Sequence, residues 1–199
     1  MFCGTIALFQ DFEEFINENT KTIFIETIGN PKLNVVDINA IARIAHSYNI
    51  PLIVDNTFAT PFIIRPTELG ADIVIHSSSK CINGSGISIS GVIIDSGNFK
   101  WDFEHYPNLA TSKKFGRFSY HSKLRGGLFK NLGSCLIPFN AFLNGLALEQ
   151  FNGYFGAILT IRAMAKENTG VFDDLIRISV GLEDIEDLIT DFENTISKI

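Results

Sequence analysis

With 199 residues, 16 basic against 22 acidic side chains and a formal charge of −6, the chain is long enough to bury a sizeable core. It has no Lys/Arg block interleaved with aromatics, which excludes a nucleic-acid surface. Cys3, Cys81 and Cys135 form no CxxC pair and the four histidines show no ligand spacing, which argues against a disulfide framework or a metal site and fits a reducing cytosol. Residues 1–9 are apolar but lack a basic flank, and no stretch approaches the roughly 20 apolar residues of a membrane span. The expectation is a soluble, cytoplasmic protein without membrane contact.

Along the chain, Asp11 with Glu14 three positions later forms a capping pattern, and Phe12, Phe15 and Ile16 give a short helix its apolar face. A β-branched strand is predicted over 22–28, broken by the turn sequence Gly29-Asn30-Pro31. From 36 to 48 the positions Ile38, Ile41, Ala42, Ala45 and Tyr48 keep helical spacing, and the apolar run 50–55 ends on Asp55. This is a βαβ unit. A further strand covers 72–76, and another is predicted over 87–95, after the glycine-rich Asn83-Gly84-Ser85-Gly86. After Phe99 the pattern loosens, and Trp101, Tyr106-Pro107 and Lys113-Lys114-Phe115-Gly116-Arg117 suggest a surface loop. A helix with Pro138 in its first turn is predicted over 136–150, then a strand over 175–180 and a closing amphipathic helix with the stripe Leu182, Ile185, Leu188, Ile189, Phe192 and Ile196. The pattern is α/β, a mainly parallel sheet with helices packed on it over 1–135, followed by a linking helix and a C-terminal strand–helix block over 136–199.

Two of these strand ends carry chemistry. Asp55 closes one apolar strand, and Lys80 follows another within His76-Ser77-Ser78-Ser79-Lys80, so both fall at the carboxyl edge, where open α/β sheets bind ligands. An acid and an amine there meet the needs of pyridoxal phosphate: an amine to hold its aldehyde, a carboxylate to keep its ring nitrogen protonated, and hydroxyls for its phosphate. Ser77 and Ser79, with the backbone at Gly84 and Gly86, supply such donors. Each residue also has a plainer reading. Lys80 alone would be a surface lysine, Asp55 a carboxylate accepting backbone N–H groups in its turn, and Asn30 a strand terminator. Arg177, with Ser179 on the non-core face of the last strand, either binds a substrate carboxylate bidentately or is simply exposed. Tyr120 and Lys123 are three apart rather than the four of a dehydrogenase pair, and no Walker-type Gly-Lys-Ser/Thr occurs.

The segments Glu26-Thr-Ile-Gly-Asn-Pro31, Val54-Asp-Asn-Thr-Phe-Ala-Thr-Pro61, Gly70-Ala-Asp-Ile-Val-Ile-His-Ser77, Ser79-Lys80 and Gly91-Val-Ile-Ile-Asp-Ser-Gly-Asn-Phe99 resemble the Cys/Met-metabolism pyridoxal-phosphate enzymes, and within them the O-acetylhomoserine sulfhydrylases. The resemblance implies the aspartate-aminotransferase fold (fold type I), with Lys80 linking the cofactor, Asp55 on its ring nitrogen, Ser77 and Ser79 on its phosphate, Asn30 against its phenolic oxygen and Arg177 on the substrate α-carboxylate. It further implies an amino-acid substrate, sulfide or a small thiol as acceptor, and a homo-oligomer. Cystathionine γ-synthase and γ-lyase are relatives that Lys80 and Asp55 do not distinguish. The chain is shorter than typical members: upstream of Lys21 the family's phosphate-loop and tyrosine motifs are not matched, with Cys3-Gly-Thr-Ile-Ala-Leu-Phe9 expected as a remnant of the segment just after them, and gaps are expected after Ser122, near Gln150 and before Val171. Position 79 is Ser where the family has Thr, and position 85 is Ser where it has His. The rival expectation is a catalytically inactive remnant or interaction protein that keeps the sheet and binds no cofactor.

Overall fold

A computed structural model describes residues 10–84 and 86–151. The expected strand and helix beyond residue 170, with Arg177, lie outside the described residues. Helix α1 (Gln10–Phe15) leads into strand β1 (Ile23–Glu26), helix α2 (Ile38–Ser47) and strand β2 (Leu52–Asp55). A single helical turn, α3 (Thr60–Ile63), and a 3-10 turn, Pro66–Leu69, then lead to β3 (Ile73–His76) and β4 (Val92–Asp95). The strands form one sheet in chain order. The first three are parallel, with Glu26 beside Asp55 and Asp55 beside Ile75, while β4 runs antiparallel on the outer side of β3.

The predicted stripe of α2 supplies the core. Asp37 caps the helix by accepting the Ala40 N–H at 3.0 Å, so Ile38, Ile41, Ala42 and Ala45 fall on the face that meets the sheet. Against them pack Ile23, Ile25, Leu52, Val54 and Val74, all buried, with Ile64 and Leu69 at the edge. Gly70 closes the turn before β3 with φ of 98°, and a side chain there would meet Ala42 Cβ at 2.8 Å, so both conformation and close approach demand glycine.

Asp72, at the start of β3, is buried and accepts the Leu52 N–H and a contact from His46 Nε2, each at 2.8 Å. Burial pushes its carboxyl pKa upward, and the Leu52 N–H and His46 act against that rise. The pair joins α2 to β2 and β3 at the edge of the sheet opposite the strand ends that carry Asp55 and Ser77.

Two expectations are corrected. The strand expected over 87–95 begins only at Val92, because residues 87–90 are held by side-chain hydrogen bonds from the Ser78–Asn83 turn and from helix α6 (Pro138–Phe151) instead of by a neighbouring strand. The region after Phe99 is also more ordered than a surface loop. Trp101 stacks on Tyr120 at 5.4 Å and meets Phe99 and Tyr106 edge-on at 4.8 and 5.2 Å, and 3-10 turns over Pro107–Phe118 feed helix α4 (Ser119–Lys123). Burial, with the charges of Asp102 and Asp72, pushes the Tyr106 hydroxyl pKa to about 12. A wide π turn over Leu124–Phe129 and the short helix α5 (Lys130–Leu132) lead to α6, which starts on the predicted Pro138.

Candidate functional site

The parallel register brings the carboxyl ends of β1, β2 and β3 to one edge, and with them Asn30, Asp55 and Ser77. Asp55 ends β2 half-buried, and its Oδ1 accepts the Thr57 N–H at 2.9 Å. The turn-capping reading of this carboxylate therefore holds, and it is compatible with a ligand role, since one oxygen fixes the turn and the other is left to the site. Thr57 is the residue that inspection of the sequence missed. It is 8% exposed, and its Oγ1 accepts the Ser77 N–H at 2.8 Å, tying the end of β2 to the end of β3. Its position two residues after the acid was the available signal, because that spacing makes an Asx turn. Asn56, wholly buried between them, accepts the Thr27 hydroxyl at 2.8 Å and donates to the Ile64 carbonyl at 3.0 Å, so the β2 end is anchored to β1 and α3. Asn30 sits exposed past β1, its N–H donated to Glu26 Oε2 at 3.0 Å.

Lys80 lies in the turn that follows β3. Its N–H donates to the Ser77 carbonyl at 3.1 Å, its carbonyl accepts the Gly84 N–H at 2.8 Å, and its side chain is exposed. Among the described residues it makes no ion pair with Asp55. Ser77 is half-buried at the strand end. Ser79 is already engaged: its Oγ accepts the Ser90 N–H at 2.7 Å and donates to the Ser90 carbonyl at 3.0 Å. To donate to a phosphate it must turn away from that carbonyl while keeping the Ser90 N–H.

His76, one residue before Ser77, is buried with no hydrogen-bond partner on Nδ1 among the described residues. Burial lowers its pKa from the usual 6.5, against opposing contributions from the Asn56 backbone and the Asp55 charge. The unfolded chain therefore takes up this proton first as pH falls. The stability His76 confers is complete above about pH 6.5 and is lost as pH drops through its depressed folded value. The urea midpoint is expected to fall between about pH 7 and pH 5, and His76→Gln to flatten that limb. An unchanged slope in the variant would assign the pH dependence elsewhere. Asp72, with its raised pKa, works in the opposite sense in more acidic solution, which is why the difference between wild type and variant is the quantity to measure.

An acid and a hydroxyl thus stand on adjacent strand ends, with an amine one turn further on, at the carboxyl edge of an α/β sheet, where such sheets bind ligands. The chain belongs to the Cys/Met metabolism PLP-dependent enzyme family, whose profile matches residues 5–149 and 154–197. It is 43% identical over 153 residues to the homocysteine/cysteine synthase of Kluyveromyces lactis, covering 70% of this chain and 34% of that protein. It is 38% identical over 147 residues to the O-acetyl-L-homoserine sulfhydrylase of Corynebacterium glutamicum, covering 67% and 34%. The solved structure of the Wolinella succinogenes O-acetylhomoserine sulfhydrylase superposes with a TM-score of 0.63 at 37% identity, over 73% of this chain and 42% of that one. A Campylobacter jejuni structure described as an O-acetylhomoserine (thiol)-lyase, solved with a pyridoxyl-lysine phosphate, gives the same TM-score at 31% identity, over 71% and 38%. The chain thus spans about a third of the length of the curated relatives it matches. Among the described residues no helix is long and apolar enough to cross a membrane, and no group of His, Cys, Asp and Glu could hold a metal ion.

Proposed function

We propose that this chain carries the lysine-bearing part of a pyridoxal-phosphate site of fold type I and that its reaction is the sulfhydrylation of O-acetylhomoserine to homocysteine in the cytoplasm. The observation that carries the reading is the convergence of Asp55, Thr57, Ser77 and the Lys80 turn on one sheet edge, within segments that match the family. When bound, the cofactor would supply the electron sink that lets the γ-acetoxy group leave as acetate, with cleavage of the Cγ–O bond, before sulfide takes its place on Cγ. Lys80 holds the cofactor through its ε-amine and, once released, moves protons to and from the substrate carbon chain. Asp55 holds the ring-nitrogen proton, Ser77 and Ser79 orient the phosphate, Asn30 faces the ring oxygen, and Arg177 orients the substrate carboxylate. In this reading residues 136–199 form the linking helix and reduced second domain, and the functional unit is a homo-oligomer.

The test is incubation with pyridoxal phosphate, borohydride reduction and peptide mapping, alongside an assay of homocysteine from sulfide and O-acetylhomoserine. A reduced adduct at Lys80 and product formation are the expected results. Absence of an adduct at Lys80 overturns the cofactor assignment. One observation favours a second reading, an interaction protein that binds no cofactor: the large apolar side chains Val35, Ile63, Ile89 and Leu132 all stand exposed. An adduct with turnover excludes it.

A further inference from the structure

Helix α6 is built inside out. Its outward side carries Phe139, Phe142 and Leu146, all exposed, while Asn140 and Asn144 face the protein, the latter 7% exposed. Burying an amide costs free energy unless both of its ends are satisfied. Those of Asn144 are: Nδ2 donates to Ser90 Oγ at 2.7 Å, and Oδ1 accepts from Asn83 Nδ2 at 3.1 Å. Asn140 Nδ2 donates to the Ile89 carbonyl at 3.1 Å.

Both partners of Asn144 border the lysine. Ser90 Oγ also accepts the Ser78 hydroxyl at 2.7 Å, and the backbone of Ser90 is held at both its N–H and its carbonyl by Ser79 Oγ. On the other side of Lys80, the Asn83 N–H donates to the Ser78 carbonyl at 3.0 Å, and Asn83 Oδ1 accepts the Ile87 N–H at 3.2 Å. Ser78 is 1% exposed. The turn is thus fastened before Lys80 through Ser78, Ser79 and Ser90, and after it through Asn83, and the two fastenings meet on one side chain contributed by a helix about sixty residues downstream. Within Ser78–Asn83, Lys80 is the exposed residue.

We propose that Asn144 and Ser90 are positioning residues for Lys80, forming a buried clamp by which α6 sets where the lysine ε-amine stands. The chemistry of the clamp rests on the pyridoxal-phosphate reading above, whereas its geometry does not. A reactive group needs its backbone held to a fraction of an ångström, and a displacement of about 1 Å far from the chemistry can cost about a hundredfold in rate. The network is coupled, so its members should not act additively.

The experiment compares wild type with Asn144→Ala, Ser90→Ala, the double variant, Ser90→Thr and the milder Ser78→Ala. Three quantities are read: hydrogen–deuterium exchange of residues 78–90 without cofactor, the rate of borohydride-trapped adduct formation at Lys80, and the pH profile of the adduct's visible absorption. Asn144→Ala and Ser90→Ala are expected to speed exchange in 78–90 about tenfold, slow trapping by about tenfold or more and displace the pH profile. The double variant should be no worse than the poorer single one, and Ser90→Thr, which keeps the hydroxyl, should restore wild-type values. If either alanine variant fails to fold, Ser78→Ala carries the same comparison. Exchange in 78–90 within twofold of wild type, or trapping and pH profile unchanged in folded variants, overturns the clamp. If wild type itself forms no adduct, the cofactor reading fails while the exchange measurement still decides the clamp.

Discussion

Replacing Lys80 with alanine is expected to abolish the borohydride-trapped adduct and to lower homocysteine formation by about 10²- to 10⁴-fold, the range associated with one positioned proton-transfer group. Asp55→Ala should behave differently: the adduct at Lys80 survives, while turnover falls by about a hundredfold. That figure corresponds to about 3 kcal/mol, the upper end for a hydrogen bond between a carboxylate and a charged partner. Part of the loss will be indirect, because the same carboxylate accepts the Thr57 N–H, and Thr57 in turn holds the Ser77 N–H. Asp55→Asn separates the two contributions. It can still accept the Thr57 N–H through its amide oxygen, so the turn stays in place, but it carries no charge to hold the ring proton. Equal losses in both variants would show that the charge carries the effect. Full activity in the Asn variant would leave Asp55 a turn residue and withdraw its assignment to the ring nitrogen.

The difference between those two roles marks what could be read before any coordinates. The βαβ unit was legible because its signals are local: the stripe of α2 and the apolar runs ending at Asp55 and His76 each lie within one element. The placement of Asp55 and the segment leading to Lys80 at one sheet edge was legible for a related reason, since parallel strands put successive carboxyl ends side by side. What escaped was longer in range. Nothing local pairs His46 with Asp72, or directs Asn144 at Ser90, and Ile87, Ile89 and Ser90 in an alternating apolar stretch read as strand when their backbone is in fact claimed by side chains. The aromatics after Phe99 were passed over because their cluster has no period. Trp101 and Tyr120 are nineteen residues apart and meet only when the intervening 3-10 turns fold back.

The sheet itself supplies the other large effect. Ile41 is 1% exposed at the centre of the α2 face, against Leu52 and Val54 on the strand that ends in Asp55. Ile41→Ala is expected to destabilise the protein by about 2–5 kcal/mol, through lost transfer free energy and the cavity left behind. Ile89→Ala removes the same atoms from a side chain that is 88% exposed, so it should change the urea midpoint by less than about 0.5 kcal/mol equivalent. The pair distinguishes a cooperative core from a loose assembly. If α2 packs rigidly on β1–β3, the Ile41 variant shows a lower midpoint with an unchanged slope of unfolding against urea. If the α2 face adapts, the loss shrinks toward the low end and the slope falls. The consequence for the site is direct, because Asp55 is aimed by the strand that Ile41 supports. The Ile41 variant should therefore lose adduct formation at Lys80 at a lower urea concentration than wild type, in step with its unfolding midpoint, and adduct formation that persists beyond that midpoint would detach the site from the core.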